Sequence, residues 1–594
     1  MAAAPRVRIG DPVKRQRLIS LFVIALLLVF AARLVLIQGV RADELSSQAL
    51  QERLITKEVS TPRADIVDRN GVVLATTVDR YHIGVDQTML AEWVRTDNGT
   101  VTAKGPLDAA EILAPILGLD VDELKAKLVG DSTWVYIAKD VTPEVWDLVD
   151  AEGISGVQPE PVSERIYPND AIAGNIIGFV GGSESGPGTA GLAGIELAYQ
   201  DILTGTPGSI TYEGNGSGIL IPTGVHEETA PIPGKTVVTS FDRDIQWYAQ
   251  DRVAKELKAT GASRATIVVA DAKTGEILAL VDSHSVDPND PGATDVKDRG
   301  SRAISTVFEP GSTAKVITMA AAIEEGVVTP LTKIKAPFRF TTDNGQQFKD
   351  SHDHGTQKLT VAGVLAQSSN TGTVQIGSLL TPKQRYDYLT AFGLGAKTNV
   401  GLPGESNGIL TPYKKWDGRQ KYAVLFGQAL SVTAMQTTQV FQTIANGGLR
   451  SQPSIVKGYM DANGNFTPRE VAEPTRVVSE KTANTVMTML ETVTQEGTGT
   501  LAKIDGYRVA GKTGTAQANC ADGSFNCIVA SFVGIAPADD PRIVVTVILY
   551  DPKSSIWGGE VAAPIFKDVA TFALQELRVP PSGEKANLYP TTWK

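Results

Sequence analysis

Three short strings in this chain combine residue types that could perform acyl transfer. The first string supplies a serine with a lysine three residues on, the second supplies a hydroxyl and an amide, and the third supplies a cation among small residues. They read Ser312-Thr313-Ala314-Lys315, Ser368-Ser369-Asn370 and Lys512-Thr513-Gly514-Thr515. A serine beside a basic group is a common acyl-transfer nucleophile. The strings therefore predict a serine acyl-transfer site.

The first string has a second match, Ser454-Ile455-Val456-Lys457, so context must decide between them. Ser312 follows a Pro-Gly turn and opens an apolar stretch over residues 316–323, which predicts a buried helix. Backbone N–H groups are free in the first turn of a helix and favour negative charge there. Ser454 follows a proline in a polar stretch with no helix start. Ser312 is therefore the predicted nucleophile.

The third string also has a second match, Lys273-Thr274-Gly275. This match joins two apolar runs, 265–271 and 277–281, which is typical of a β-hairpin turn. Lys512 instead lies among small residues on a predicted strand edge, where the backbone of a ligand can approach closely. We therefore expect Lys512, and not Lys273, in the site.

Helix geometry suggests how the first string would work. Residues three apart lie on one face of a helix, so Lys315 can reach the hydroxyl of Ser312. A lysine accepts a proton only when neutral, and both burial in an apolar helix and the charge of Lys512 would lower its pKa. We expect Lys315 to take the proton from Ser312. Ser368 would then relay a proton to the leaving amine, while Asn370 bonds the substrate backbone and orients Lys315.

The third string is predicted to hold the substrate. Lys512, Thr513 and Thr515 would bind a carboxylate, and Gly514 leaves room for the substrate backbone. The backbone N–H groups of Ser312 and Thr515 would form the oxyanion hole. This chemistry needs no metal or cofactor. His352-Asp353-His354 offers zinc-type ligands, but a solvated loop that contacts the acceptor strand is the favoured interpretation.

In their order and intervals, the three strings resemble those of the penicillin-binding transpeptidases and serine β-lactamases. Further strings narrow the resemblance to class B penicillin-binding proteins. These are residues 62–71, Arg165-Ile166-Tyr167-Pro168, Gly194-Ile195-Glu196 with Tyr199, and residues 530–537. One departure is Arg63-Ala64, where the family usually has Arg-Gly. The resemblance implies a D,D-transpeptidase that crosslinks peptidoglycan at D-Ala-D-Ala stem peptides and is acylated by β-lactam antibiotics.

The predicted fold class is α+β. Five strands, at 265–271, 277–281, 509–515, 528–535 and 543–550, surround a helical insertion. The resemblance implies a five-stranded antiparallel sheet with helices on both faces, an elongated N-terminal pedestal of the dimerisation type, and one transmembrane helix. The predicted divisions are a cytoplasmic tail (1–17), an anchor (18–38), the pedestal (43–238), the transpeptidase domain (239–577) and a disordered C-terminal tail (578–594).

The start of the chain predicts its location. Twenty nearly continuous apolar residues follow five basic residues and one acid, which indicates an uncleaved membrane helix with a cytoplasmic N-terminus. A cleaved signal peptide is the alternative. Arg33, inside the run, would either snorkel to the headgroups or contact a partner helix. The net charge of −11 argues against nucleic-acid binding.

Cys520 and Cys527 are the only cysteines of the chain and would lie outside the membrane. A disulfide that closes the loop after the third string is favoured over two free thiols. Binding of a metal ion by the two cysteines is less favoured.

Three other functions share parts of this pattern. A class A β-lactamase needs a glutamate that activates a deacylating water, and Glu405 lies in the right interval. A β-lactam sensor and a scaffold with a decayed site are the others. Within the resembled family, division at the septum is preferred to elongation. The resemblance also implies as partners an FtsW-like membrane glycosyltransferase of the shape, elongation, division and sporulation (SEDS) family, and further divisome proteins.

Overall fold

The structure, a computed structural model, describes residues 11–59, 61–182, 189–215, 220–518 and 527–594. Its internal contacts divide the chain into two compact units. The first holds Met1–Thr61 and Gly205–Pro233, and the second holds Pro62–Thr204 and Gly234–Lys594. None of these three boundaries falls at 238/239, which lies at the end of a strand inside the second unit, and the predicted domain division stays a prediction.

The first unit contains one long exposed helix. Helix Pro12–Val35 continues as a π-helical turn, Leu36–Val40, and the side chain of Asp11 caps its start. An 18-residue window within these 29 residues has a mean hydropathy of 2.8, which makes the helix long and apolar enough to cross a membrane. The predicted span, 18–38, lies within it. The rest of the unit is helix Ala42–Gln51 and an antiparallel sheet of Leu54–Val59, Gly208–Glu213 and His226–Thr229.

A seven-stranded sheet in the second unit joins segments that are far apart in sequence. Strand Thr236–Thr239 runs parallel to Ile66–Val67 and antiparallel to Val456–Met460. The remaining strands are Val73–Val85, Val135–Val141, Val157–Ile166 and Phe466–Pro468. Two hairpins, Val94–Asp97 with Thr100–Lys104 and Val180–Gly182 with Thr189–Gly191, lie nearby in sequence. The helices of this region are Gln87–Ala91, Gly105–Leu117, Val121–Leu128, Pro143–Ala151, Gly174–Ile177, Gly194–Ala198 and Gln200–Thr204.

A buried ion network ties together three of the strings that carried the family resemblance. The carboxylate of Glu196, which has no exposed surface, accepts from Arg63 Nε at 2.5 Å and from Arg165 Nε at 2.8 Å. The hydroxyl of Tyr167 donates to the same carboxylate at 3.3 Å. Burial would make each charge costly alone, so the arginines and the glutamate stabilise one another only as a set.

The central sheet has five antiparallel strands, as the sequence predicts. Their spatial order is Ile277–Asp282, Arg264–Asp271, Ile543–Tyr550, Cys527–Ala536 and Ala510–Ala518. Successive side chains point to opposite faces. Ile267 and Phe532 therefore join the cluster that contains Ile245 and Phe566. Helices Arg243–Thr260 and Ala563–Glu576 supply that layer.

The other face of the central sheet carries the helical insertion. Val268 and Val533 point into the core cluster of that face. Three of its helices are Lys315–Glu324, Ala434–Ala445 and Glu480–Glu496. Its other helices are Arg302–Ser305, Val361–Ala366, Asn370–Ser378, Pro382–Ala391 and Gln420–Ala423, and helix Gly558–Val561 precedes the last helix. Three small sheets pair Lys333–Ala336 with Gln357–Thr360, Arg339–Thr341 with Gln347–Lys349, and Leu449–Arg450 with Thr475–Arg476.

The prediction that residues 578–594 are disordered is wrong. The Tyr507 hydroxyl donates to the carbonyl of Val579 at 2.7 Å. At the far end, the indole N–H of Trp593 donates to the carbonyl of Leu359 at 3.0 Å. The prolines and polar residues suggested a solvated segment, but its hydrogen-bond partners lie far away in sequence. No local pattern could have revealed them.

Candidate active site

The predicted nucleophile lies in a tight turn at the start of a buried helix. Ser312 belongs to the 3-10 turn Gly311–Ala314, which leads directly into helix Lys315–Glu324, and it is partly exposed. Gly311 has φ +53°, and a Cβ there would lie 2.9 Å from the carbonyl oxygen of Thr515. Glycine is therefore needed for the turn to lie against the strand of the third string.

Lys315 is completely buried, one residue after the turn ends. Its Nζ contacts two atoms of Ser368, the carbonyl oxygen at 2.5 Å and Oγ at 3.2 Å. Among the described hydrogen bonds, Lys315 therefore meets Ser368 and not Ser312. Burial lowers the pKa of Lys315 to about 7, although the negative charge of Asp350 opposes the shift. The predicted neutral lysine is thus consistent with its environment.

Lys512 contacts the same hydroxyl as Lys315. It lies on the edge strand Ala510–Ala518 and is completely buried. Its Nζ is 3.0 Å from Ser368 Oγ and 3.2 Å from Thr513 Oγ1. Burial, and then repulsion by Lys315, lower the pKa of Lys512 well below its ordinary value. Burial, the first of the two causes predicted for Lys315, is the main cause for both lysines, and the repulsion between them lowers the pKa of Lys512.

Ser368 owes its position to a strained connection between two helices. Helix Val361–Ala366 ends two residues before it, and helix Asn370–Ser378 begins two residues after it. Its φ of +59° is in the left-handed region, which non-glycine residues rarely adopt. Such a conformation persists only where the surrounding structure fixes it.

Asp350 fixes one side of this connection, and sequence reasoning missed it. Its buried carboxylate accepts hydrogen bonds from Ser369 Oγ at 2.8 Å and from the backbone N–H groups of Asn370 at 2.5 Å and Thr371 at 2.9 Å. A carboxylate at a helix N-terminus is favoured both by the free N–H groups and by the helix dipole. Asp350 stands in a polar loop with no motif around it, so only the structure reveals its contacts.

His354 also contacts the Asp350 carboxylate, with Nε2 at 3.0 Å from Oδ2. Burial disfavours the charged ring, but hydrogen bonds to Gly355 and Asp350 outweigh burial and raise the pKa of His354. The neighbouring His352 lies beside Trp557, with ring centroids 4.8 Å apart. We call the hydrogen bonds from the second string to Asp350 the clamp. The segment 352–354 is adjacent to it.

Asn370 does not orient Lys315 in the way that we predicted. Its side-chain amide donates to the carbonyl of Lys349 at 3.1 Å. No bond to Lys315 is found within the described ranges. Asn370 remains partly exposed beside Ser368. Its position suits a contact with a substrate backbone, which stays a prediction.

The remaining residues of the third string lie along the edge strand, where Gly514 is closely enclosed. A Cβ at Gly514 would lie 2.3 Å from Ser531 Oγ and 3.2 Å from the carbonyl of Pro310. Thr513 Oγ1 is 2.7 Å from Thr498 Oγ1, a second contact that the sequence did not predict. Thr515 is partly exposed, and its Oγ1 accepts from the N–H of Gly558 at 3.4 Å. The strand thus brings Thr513 and Thr515 beside the turn that holds Ser312.

The two second matches lie elsewhere. Ser454 is buried and its hydroxyl donates to the carbonyl of Val456 at 2.7 Å, while Lys457 lies on a strand. Lys273 lies in the predicted hairpin turn and pairs with Asp540 at 2.9 Å. The hairpin turn predicted at Lys273 is confirmed, and the choice of Ser312 over Ser454 stays a prediction.

Glu405 and the cysteines complete the predicted residues. The Glu405 carboxylate accepts from the backbone N–H groups of Thr398 at 2.6 Å and Asn399 at 3.0 Å, so it organises its own loop. Cys527 begins a strand of the central sheet, but Cys520 lies outside the described residues. The disulfide therefore stays a prediction.

Comparison with known families agrees with this arrangement over most of the chain. Residues 265–571 match the family described as penicillin binding protein transpeptidase domain. Residues 58–239 match the penicillin-binding protein dimerisation domain. All three predicted catalytic strings and the strings of the N-terminal half therefore fall inside matched regions.

Curated relatives and solved structures match over similar lengths. The penicillin-binding protein PbpB of Mycolicibacterium smegmatis is 35% identical over 97% of this chain and 92% of its own. The peptidoglycan D,D-transpeptidase FtsI of Escherichia coli K12 is 30% identical over 92% and 89%. A Mycobacterium tuberculosis penicillin-binding protein 3 complexed with aztreonam superposes with a TM-score of 0.68 at 30% identity, covering 90% of this chain and 100% of that one.

Proposed function

Because the chain belongs to the class B penicillin-binding proteins, we propose that Ser312 is the nucleophile of a peptidoglycan D,D-transpeptidase. The observation that carries this proposal is the convergence of the three strings: Lys315 and Lys512 both contact Ser368 Oγ, and the turn of Ser312 lies against the strand of Lys512. The donor substrate would be a stem peptide that ends in D-Ala-D-Ala. β-Lactams would acylate the same serine.

The acylation step needs a neutral amine near Ser312. Lys315, with a pKa of about 7, supplies one at and above neutral pH. The Ser312 hydroxyl would lose its proton to Lys315 as Oγ bonds to the carbonyl carbon of the penultimate D-Ala. The N–H groups of Ser312 and Thr515 would stabilise the oxyanion. The peptide C–N bond then breaks, and a proton passed through Ser368 leaves with the terminal D-Ala amine.

Substrate binding would determine which of the two lysines is protonated. A carboxylate held by Lys512, Thr513 and Thr515 favours the protonated form of Lys512, because opposite charges raise the pKa of an amine. The repulsion between the two buried amines then favours a neutral Lys315. In the second half-reaction an acceptor amine would attack the ester, displace Ser312 Oγ, and form the crosslink.

The alternative functions receive less support. The carboxylate of Glu405 already accepts bonds from its own loop, which disfavours it as the base of a β-lactamase. The buried amines and the strained Ser368 would be costly features for a scaffold without catalysis. A stable acyl-enzyme is therefore the expected product with penicillin.

Location and partners complete the proposal. The helix Pro12–Val35, whose apolar part follows basic residues, would anchor the chain once in the plasma membrane with the N-terminus in the cytoplasm. We place the enzyme at the septum, with an FtsW-like glycosyltransferase of the SEDS family and other divisome proteins as partners. The support is the family resemblance of the anchor and pedestal.

Labelling with a fluorescent penicillin, followed by peptide mass mapping, tests the proposal. One adduct is expected on Ser312, absent in Ser312→Ala and still formed in Ser454→Ala. The adduct should hydrolyse slowly, and a D-Ala-D-Ala donor with an acceptor amine should give a crosslinked product. An adduct on Ser454, or rapid turnover of penicillin, would contradict the assignment.

A further inference from the structure

The last residues of the chain add a third extended segment to a small sheet. This segment, Pro590–Trp593, is called the strap. Residues 592 and 359 form an antiparallel bridge, and the N–H of Trp593 donates to the carbonyl of Lys358 at 3.2 Å. The strap therefore lies along the strand Gln357–Thr360, which leads into the helix before Ser368.

Trp593 anchors the strap. Its indole N–H donates to the carbonyls of Leu359 at 3.0 Å and Ile334 at 3.3 Å, so it bonds both strands of the small sheet. The Nζ atoms of Lys333 and Lys358 lie 5.2 and 5.3 Å from the ring centre. Cations at this distance are attracted to the face of an aromatic ring.

The strap also holds the first turn of helix Val361–Ala366. Thr360 caps this helix, since its Oγ1 accepts from the N–H of Gly363 at 2.9 Å. The same hydroxyl donates to the carbonyl of Pro590 at 2.6 Å, and the N–H of Thr360 donates to Thr591 at 3.0 Å. A Cβ on Gly363 would lie 1.8 Å from the carbonyl oxygen of Thr591. Any larger residue at 363 would displace the strap.

An earlier part of the same tail is attached beside the third string. The N–H of Ser582 donates to the carbonyl of Gly506 at 2.9 Å, and its Oγ accepts from the N–H of Arg508 at 3.0 Å. Strand Ala510–Ala518, which carries Lys512, begins two residues later. The tail thus connects the start of the Lys512 strand with the start of the helix that precedes Ser368.

We propose that the strap is a positioning element for Ser368. Asp350 fixes the helix that follows Ser368, and the strap fixes the helix that precedes it. Together they hold the left-handed conformation that places Ser368 Oγ between Lys315 and Lys512. The inference rests on the proposed role of Ser368 in proton transfer, and it assigns positioning roles to Trp593, Thr360 and Gly363.

The test compares three variants of the full chain in their acylation by a labelled penicillin. They are a truncation that removes residues 588–594, Gly363→Ala, and Trp593→Phe. The last variant keeps an aromatic ring but loses the N–H donor. Gly583→Ala is the matched control, because a Cβ there meets nothing within 4 Å. The first-order acylation constant at saturating penicillin is measured separately from the binding constant.

Loss of the strap should slow the acylation step rather than weaken binding. The truncation and Gly363→Ala should each lower the first-order constant about tenfold, since small displacements of a reacting group are costly. Trp593→Phe should lower it about threefold, as expected for the loss of one N–H donor that two carbonyls share. The binding constant should change by less than about twofold. Because both changes act through one contact, the truncation combined with Gly363→Ala should be no slower than either alone.

Several results would overturn the inference. An unchanged acylation constant in a folded Gly363→Ala variant would do so, as would additive losses in the combined variant, or a loss confined to binding. If the truncated chain does not fold, as judged by circular dichroism, Gly363→Ala and Trp593→Phe decide the question. Failure of the unaltered chain to label at Ser312 would instead refute the proposed function.

Discussion

The side-chain nitrogens of Lys315 and Lys512 contact one oxygen, Ser368 Oγ, at 3.2 and 3.0 Å. Both lysines are fully buried, so a positive charge on each at once would be strongly unfavourable. Burial and mutual repulsion therefore disfavour the state in which both amines are protonated. A site of this kind holds a neutral amine ready beside a hydroxyl, which is what serine activation requires.

Acylation should depend on pH through Lys315. Its pKa is lowered to about 7, so the neutral fraction rises as pH increases through that value. The acylation rate constant with penicillin should be about tenfold below its plateau at pH 6 and level above pH 8. Stopped-flow or quenched labelling between pH 5.5 and 9 measures it. An inflection near the ordinary lysine pKa would contradict the assignment.

Lys315→Met should abolish acylation and raise thermal stability. In the unfolded chain the lysine is protonated up to about pH 10.4, whereas in the folded protein it loses its proton near pH 7. The unfolded state therefore binds more protons between these values, and the native lysine opposes folding most at pH 7 and below. We expect the midpoint temperature of thermal unfolding of Lys315→Met to be at least about 2 °C above that of the unaltered protein at pH 7.

The gain from Lys315→Met should shrink as pH rises toward 10, because the unfolded lysine then also loses its charge. Differential scanning calorimetry of the variant and the unaltered protein at pH 7 and pH 9.5 measures this gain. Lys457→Met, in the second match of the first string, is the control and should show no such pH-dependent gain. If Lys315→Met unfolded at a lower temperature than the unaltered protein at pH 7, the buried lysine would not be destabilising the fold.

Asp350→Asn should weaken the clamp on the second string. The amide keeps one acceptor oxygen but loses the negative charge at the start of helix Asn370–Ser378. We expect the unfolding free energy to fall by about 1–3 kcal/mol and acylation to slow about tenfold. Urea unfolding and penicillin labelling measure the two effects. Asp343→Asn, at an exposed position in the same region, should leave both within error.

The same Asp350→Asn variant should lower the pKa of His354. That pKa is raised by hydrogen bonds to Gly355 and Asp350, against the effect of burial. The variant keeps the Gly355 contact and removes the negative partner. Histidine titration by NMR would detect the shift. An unchanged His354 titration would show that the ring and the carboxylate are not in contact in solution.

Glu196→Gln should be strongly destabilising. It would leave Arg63 and Arg165 buried without a counter-charge, and breaking a buried pair in this way costs about 3–5 kcal/mol. Denaturant unfolding measures the loss. Glu164→Gln is the matched control, because its pair with Arg80 is partly exposed and should contribute less than about 1 kcal/mol. Similar losses for both variants would contradict the network.

Sequence reasoning succeeded where chemistry is carried by local spacing. The Pro-Gly turn before Ser312, the apolar run after it and the apolar strands are all local signals, and each predicted the correct element. The interval between Ser312 and Lys315 predicted a contact that the described hydrogen bonds do not include. Asp350 and Trp593 could not be found in this way. Their partners, Asn370 and Leu359, are fixed by long-range packing, and neither residue stands in a periodic or motif-like context. The positive φ of Ser368 was hidden for the same reason.

Strand Val456–Met460 pairs with Thr236–Thr239, which in turn pairs with Ile66–Val67. The two regions matched by family comparison are therefore joined by backbone hydrogen bonds. If the later region were expressed alone, its strand Val456–Met460 would lack this partner and would be prone to aggregation. Strand Thr236–Thr239 lacks its second partner until residue 460 has been synthesised. The fold is thus completed late in synthesis.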